Sequence, residues 1–340
     1  MKHWKRFLGV AIVSAAISST HAVERGFSAG GQVWGAYNIN INPDVGFGLA
    51  HQRVFGTVSY GFGDGWSAHT TVGHYTGLPS TGGLVGVYRA HLTGEIGDGM
   101  VHVGLHSGRY TSKLYSVVNS EWIDGLVSDT GIYNGNGGGL TSTEYYQHSQ
   151  LGVSYEASVA DGMAEFAIEV TNGNGADTSS ASGHQLPEVD ESVGFGFNLS
   201  VMPADAFGVH GYFHYDLKNA SVAKYDFGWG AAVTFSHEMF NFVGEVVGRK
   251  VNGKTSKLAF GGAIDAMFVE DMGLYASFRT GNDAAQSGND LGLTVGPHGT
   301  LVDGVDVGLF YKWRDSGSTG STATTVAVEH GVSLNVAANF

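Results

Sequence analysis

The stretch Val326–Phe340 reads V-A-V-E-H-G-V-S-L-N-V-A-A-N-F. Counted back in twos from Phe340, one set is Ala338, Val336, Leu334, Val332, His330, Val328 and Val326, apolar but for one residue. The interleaved set is small or polar: Asn339, Ala337, Asn335, Ser333, Gly331, Glu329 and Ala327. A period of two predicts a β-strand with one apolar and one wet face. A soluble sandwich strand can show the same alternation. A strand that runs to the last residue and ends on an aromatic is more specific, and the rest of the chain is read against it.

At the other end, Met1–Arg6 carries Lys2, Lys5 and Arg6, Phe7–Ile17 is apolar, and Ser18–Ala22 is small and polar. This is the pattern of a secretory signal peptide, with cleavage expected after Ala22. Its apolar part is too short to span a bilayer as a helix. A single domain is expected over 23–340. Without Lys2, Lys5 and Arg6, 14 of the 17 basic residues remain against 31 acidic ones, so the formal charge moves from −14 to −17. The chain has no cysteine, which excludes disulfides and thiolate metal sites. Glycine is 54 of 340 residues and proline only 5, with no collagen period, which suits tight turns and crowded sheet walls. A mean hydropathy of −0.01 is too polar for a helical membrane protein. It is ordinary where apolar residues form only the outer half of each strand.

Short acidic or glycine-rich turns recur at Gly63-Asp64-Gly65, Gly97-Asp98-Gly99, Ala160-Asp161-Gly162, Pro203-Ala204-Asp205, Ser236-His237-Glu238, Glu270-Asp271 and Asp303-Gly304. Asp-Gly between alternating segments signals a tight hairpin. Longer polar connections fall near 40–50, 77–83, 111–147, 173–190, 217–223, 250–256, 281–289 and 315–322. Tight turns and long loops alternate, which predicts sixteen antiparallel strands. About 20 residues per strand and connection suits spanning strands of roughly 9–11 residues. The faces agree. Val305, Val307, Leu309, Tyr311 and Trp313 oppose Asp306, Gly308, Phe310, Lys312 and Arg314. Phe207, Val209, Phe213 and Tyr215 oppose His210, Tyr212, His214 and Asp216. Aromatics gather near the tight turns (Tyr60, Trp66, Tyr155, Phe207, Phe235, Phe240, Phe268) and near the long loops (Tyr37, Tyr215, Trp229, Phe278, Trp313). Two belts at two interfaces are expected of a transmembrane β-barrel. Sixteen strands would enclose a wet lumen rather than a side-chain core.

The closing segment resembles the last strand of a bacterial outer-membrane barrel, whose terminal aromatic is the address read by the barrel-assembly machinery; Phe340 would play that part. Val101-His102-Val103-Gly104-Leu105-His106-Ser107-Gly108-Arg109 resembles the fifth strand of the general porins of proteobacteria. Gln150–Val170 resembles their sixth and seventh strands. The resemblance extends in layout over residues 23–340, while the enterobacterial Pro-Glu-Phe-Gly-Gly loop motif is absent. It implies a homotrimer in the Gram-negative outer membrane, in contact with lipid and lipopolysaccharide, passing small hydrophilic solutes and ions passively and without catalysis. It also implies that the third loop, 111–147, folds into the lumen against a basic wall. The loop would present Glu121, Asp124, Asp129 and Glu144. The wall would present Arg53, Arg89, Arg279 and Lys312, with Arg249 near the rim. Opposed charges across a narrow wet gap set up a transverse field that orients dipolar solutes. The acidic total, with Glu165, Glu169 and Glu245 facing inward, predicts a preference for cations.

His102/His106 and His210/His214 are i,i+4 pairs on one strand face, about 13 Å apart along the backbone. Metal ligands must lie near 2 Å from the ion, so neither pair chelates alone, and no metal site or cofactor is expected. Asn172-Gly173-Asn174-Gly175-Ala176-Asp177 supplies oxygen ligands that could hold Ca²⁺ between loops. Gly26-Phe27-Ser28-Ala29-Gly30 fits the nucleophile-elbow pattern formally but opens a strand rather than a helix. Gly135-Asn136-Gly137-Gly138-Gly139 does not open a helix, so phosphate binding is not expected. No basic run points to nucleic acid. His330 has lipid-facing parity and is a candidate for a subunit contact. The alternatives are a substrate-selective channel, with Trp34 and Tyr212 as inward aromatics, a phospholipase-like barrel enzyme needing a Ser and His together near the outer rim of the wall and a narrower barrel, and a sheath around a redox partner.

Overall fold

A computed structural model describes residues 25–42, 46–76, 85–106, 150–171, 193–204, 206–217, 225–251, 256–269, 271–282, 289–315 and 328–340. They form sixteen strands: β1 (Gly26–Asn42), β2 (Gly46–Gly63), β3 (Trp66–Thr76), β4 (Val85–Ile96), β5 (Gly99–His106), β6 (Gln150–Val159), β7 (Ala164–Thr171) and β8 (Val193–Ala204). The second half contains β9 (Phe207–Leu217), β10 (Tyr225–His237), β11 (Phe240–Val251), β12 (Lys257–Val269), β13 (Met272–Asn282), β14 (Asn289–Val302), β15 (Val305–Asp315) and β16 (Val328–Asn339). Each strand pairs antiparallel with its neighbours in sequence, and β16 returns to β1, so the sheet is a closed barrel. Closure removes the unpaired edge strands that an open sheet would expose. Among the described residues no helix is long and apolar enough to cross a membrane.

The seven short connections fall at the acidic turns. Asp64, Ala160 and Asp161 adopt positive φ (54°, 54° and 55°), as do Gly65 (77°), Gly97 (62°) and Gly304 (79°). Positive φ at the centre of a two-residue turn matches the right-handed twist of the flanking strands. The signal segment 1–22 and the connection 111–147 lie outside the described residues.

Register assigns every strand residue to one of two faces. The outward face carries Val33, Tyr37, Ile39, Val54, Val58, Phe195, Phe213, Trp229, Phe242, Phe260, Leu293, Leu309 and Leu334, all exposed. All the aromatics expected in the two belts sit on this outward parity. Neighbouring rings cluster near the tight turns: Phe27 and Tyr60 at 4.6 Å, Tyr60 and Phe62 at 5.2 Å, and Phe235 and Phe240 at 5.4 Å.

The glycine content has a packing cause beyond turns. Trp66 lies over Gly94, the residue opposite it on the next strand, Trp229 likewise over Gly248, and on the inward face Tyr212 over Gly230. A Cβ at any of these glycines would fall inside the ring it supports. Bulky rings therefore alternate around the wall with cross-strand glycines, which lets a strongly curved sheet carry large aromatics without strain.

The barrel closes at Phe340. Gly31 N–H donates to Phe340 O (2.8 Å) and Phe340 N–H to Gly31 O (3.0 Å). Gln32 Nε2 donates to Asn339 Oδ1 at 2.9 Å. The Phe340 ring covers Gly31, where a Cβ would stand 2.5 Å from Cζ.

Candidate functional site

Register rows show what lines the interior. On β3 to β5, inward positions hold His69, Arg89, His91, His102 and His106. On β6 and β7 they hold Glu156, Glu165 and Glu169. On β9 and β11 they hold His210, Tyr212, His214, Asp216 and Glu245. On β12 to β15 they hold Asp265, Tyr275, His298, Asp306, Phe310 and Lys312. The register also puts Arg249, Lys257, Arg279 and Arg314 on this parity, on β11 to β15, and Arg53 on β2. The side chains of these five residues lie outside what the structure describes.

In a ring of sixteen strands, β6 and β7 stand opposite β14 and β15. The glutamate arc therefore faces the arc holding Lys312 and the position of Arg314. The loop acids Glu121, Asp124, Asp129 and Glu144 lie outside the described residues, as do the glycine-rich stretches 135–139 and 172–177 with the Ca²⁺ reading attached to them.

The expected wall bases fare differently. Arg89 is exposed on β4, opposite Thr71. Lys312 is inward but only 1 % exposed, alongside Phe310 and Tyr275, whose rings meet edge-on at 6.0 Å. Ser333 and Asn335 on β16 are equally buried. Lys312 thus points inward within a closely packed stretch of the wall. Parity fixes the direction of a side chain, not whether its neighbours leave it solvent. Tyr212 is also inward but buried, and its hydroxyl donates to Glu245. Trp34 pairs in register with Ala337 and Arg53, and its side chain lies outside the description.

The histidines converge more than the backbone spacing predicts. His102 and His106 lean toward each other across Gly104, with ring centroids 6.1 Å apart. His91 packs on both, at 5.9 and 6.4 Å, and stacks on His69 at 5.1 Å. His69 Nδ1 lies 2.8 Å from Ser59 Oγ and its Nε2 2.7 Å from Ser67 Oγ. His102 Nδ1 lies 3.1 Å from Thr93 Oγ1, and its Nε2 2.9 Å from Glu156 Oε1. Among the described residues no three such groups are arranged around a common metal position. His210 is held between Ser200 and Thr234, 2.8 Å from each. These Ser–His contacts brace the lumen wall. None of them lies on the outward face, where a lipid-cleaving site would sit. On that face His330 Nδ1 stands 3.2 Å from the Tyr311 hydroxyl.

Across the barrel, His298 Nε2 and Asp265 Oδ1 are 2.7 Å apart, with side chains 7 % and 2 % exposed. Sequence reading placed Asp265 inward but not its partner, because the contact spans two strand neighbours and depends on register. Removing one member of a buried pair leaves the other desolvated, at a cost of about 3–5 kcal/mol. Asp265→Ala should therefore lower the urea midpoint of the refolded barrel well below that of the parent, followed by tryptophan fluorescence. An unchanged midpoint would show the pair to be structurally idle.

No family model and no curated protein matches the chain by sequence. Solved structures do. OmpF of Salmonella typhi, in complex with daunomycin, superposes with a TM-score of 0.67 at 9% identity, covering 93% of this chain and 98% of its own. An anion-selective porin from Comamonas acidovorans gives 0.66 at 12% identity, covering 93% and 100%. OmpT, an outer membrane protein of Vibrio cholerae in its trimer form, gives 0.60 at 12% identity, covering 93% and 99%. Over nearly its whole length, the fold of this chain is that of the sixteen-stranded outer-membrane porins.

Proposed function

We propose that the barrel is an outer-membrane channel through which small hydrophilic solutes and ions diffuse passively, with a preference for cations and no covalent chemistry. The observation that carries this reading is the combination of a closed sixteen-strand wall, an apolar outer face with aromatic belts, and an inner face bearing almost all of the strand charges. Charged groups on one face only are what a wall between hydrocarbon and water requires. The chain is exported with residues 1–22 removed, and Phe340 is the signal for the assembly machinery. The third loop, with Glu121, Asp124, Asp129 and Glu144, narrows the lumen against Arg53, Arg89, Arg279 and Lys312. Glu156, Glu165 and Glu169 add to the acidic side.

The same reading extends to assembly. The outward positions of β1 to β4 mix small residues (Ala29, Gly31, Gly35, Gly56, Ala68, Thr70, Ala90 and Gly94) with larger ones such as Val33, Tyr37, Val54, Val58 and Leu92. The outward positions of β8 to β10 carry the rings Phe195, Phe197, Phe213, Phe227 and Trp229. Small positions among larger ones leave recesses that let a second wall approach closely, while a run of large rings suits lipid. The homotrimer packs through β1 to β4 and the adjoining β16, with His330 at its margin. The Vibrio cholerae neighbour in its trimer form supports this stoichiometry.

The refolded protein, inserted in a planar bilayer, should show conductance that closes in three steps. Its reversal potential under a salt gradient should favour cations. Absence of conductance from protein shown to be folded and inserted would overturn the channel reading. A single closing step would overturn the trimer alone.

A further inference from the structure

The imidazoles on β3 to β5 are more than wall braces. His69 and His91 are directly paired across β3 and β4, and His91 reaches over Gly104 to contact His102 and His106. His91 Nδ1 is buried without a hydrogen-bond partner. Arg89, two residues along the same strand, is exposed and close enough to His91 to act on it electrostatically. His69 and His91 are half-buried, so they form the surface of the cluster, while His102 and His106 lie beneath them.

We infer that Arg89, His69 and His91 form a binding patch for small oxyanions, such as carboxylates, sulfate or phosphate, that strengthens as the histidines protonate. Arg89 supplies a permanent positive charge with a planar fork of donors suited to an oxyanion. Histidine is the side chain whose charge changes in the mildly acidic to neutral range. Imidazoliums this close together repel one another, and a bound anion is the counter-charge that lets more than one of them form. Binding and proton uptake are then reciprocal: whatever favours the protonated cluster favours the anion by the same factor. The acidic groups facing the cluster are few and placed to one side. Glu95 lies on β4 toward the turn, Glu156 on β6 is engaged by His102, and Glu169 on β7 is buried. The inward neighbours on β2, Thr57 and Ser59, are uncharged.

This patch would act within the proposed channel, but its binding can be measured without transport. Sulfate is a suitable probe because its own charge is constant between pH 4.5 and 7.5. Titrated calorimetrically into the refolded barrel in detergent, sulfate should bind more tightly at pH 4.5 than at pH 7.5 by about tenfold or more, since each linked proton changes affinity by up to about tenfold per pH unit. In the His69→Gln/His91→Gln double variant the pH dependence should collapse to a weak, constant affinity. Arg89→Gln should weaken binding at both pH values. Equal affinity at both pH values in the parent, or a pH dependence retained in the double variant, would overturn the proposal. A conducting channel with no sulfate linkage would sink this inference alone, whereas loss of conductance bears only on the channel.

Discussion

Deleting Phe340 should lower both the stability of the barrel and its refolding yield. The residue closes the ring: its backbone exchanges two hydrogen bonds with Gly31, and its ring lies on the glycine. The two backbone bonds are worth about 2 kcal/mol, at roughly 1 kcal/mol per bond, and the ring, with the residue 75 % exposed, adds little buried area. Because the bonds lie at the β1–β16 seam, their loss reopens an edge rather than thinning a core. The expected result is a lower urea midpoint and a poor refolding yield in detergent. Phe340→Ala separates the contributions, since it keeps the bonds and loses the ring. Gly31→Val approaches the same seam from the other side, with its Cβ in the space of the ring and 2.6 Å from Phe55 O. Overpacking of this kind costs about 1–3 kcal/mol. Residues in contact do not add, so Gly31→Val should cost less in the Phe340-deleted background than alone. A parent-like midpoint for the deletion would show that the seam holds without its last residue. A deletion that refolds well in vitro but fails to reach the outer membrane in cells would separate the assembly signal from the structural role.

Much of this fold was legible in the sequence because its period is short. A strand needs only alternation, and Val305–Arg314 or Phe207–Asp216 declares its two faces within ten residues. Asp-Gly turns such as Asp64-Gly65 mark hairpins locally, and sequential hairpins force neighbouring strands to pair. The lumen chemistry was less legible because it depends on register between strands. His91 is ten or more residues from His69, His102 and His106, and only pairing brings the four together. Asp265 and His298 are 33 residues apart and meet across β13. Parity gave the inward direction of Lys312, while its close packing with neighbouring strands is again a matter of register. The glycine count was noticed, but its partners were not, since Gly94 under Trp66 and Gly248 under Trp229 are cross-strand relations too.

Neutralising lumen glutamates should move ion selectivity, and the size and salt dependence of that shift identify where the filter sits. Glu165 on β7 and Glu156 on β6 are partly exposed on the acidic arc, whereas Glu169 is buried and would report on folding instead. A unit charge in a water-filled passage acts on a passing ion with about 1 kcal/mol at 4 Å. Screening confines that effect to roughly 10 Å at 0.1 M salt and 3 Å at 1 M. The Glu156→Gln/Glu165→Gln double variant should therefore lower the cation-to-anion permeability ratio by about twofold to fivefold at 0.1 M, with little change at 1 M. Arg89→Gln should raise the ratio, because it removes a positive charge from the same wet wall. Opposite signs from substitutions on β4 and on β6 and β7 would place the filter in the wall and exclude a general surface-charge effect. If the glutamate variant conducts with unchanged selectivity, the wall does not select, and the loop acids Glu121 and Asp124 must carry the preference. Glu121→Gln and Asp124→Asn would then shift the reversal potential where the wall variant did not. The two wall segments give the experiment its internal control, because Arg89 on β4 and the glutamates on β6 and β7 line the same passage and act on the same ion with opposite sign.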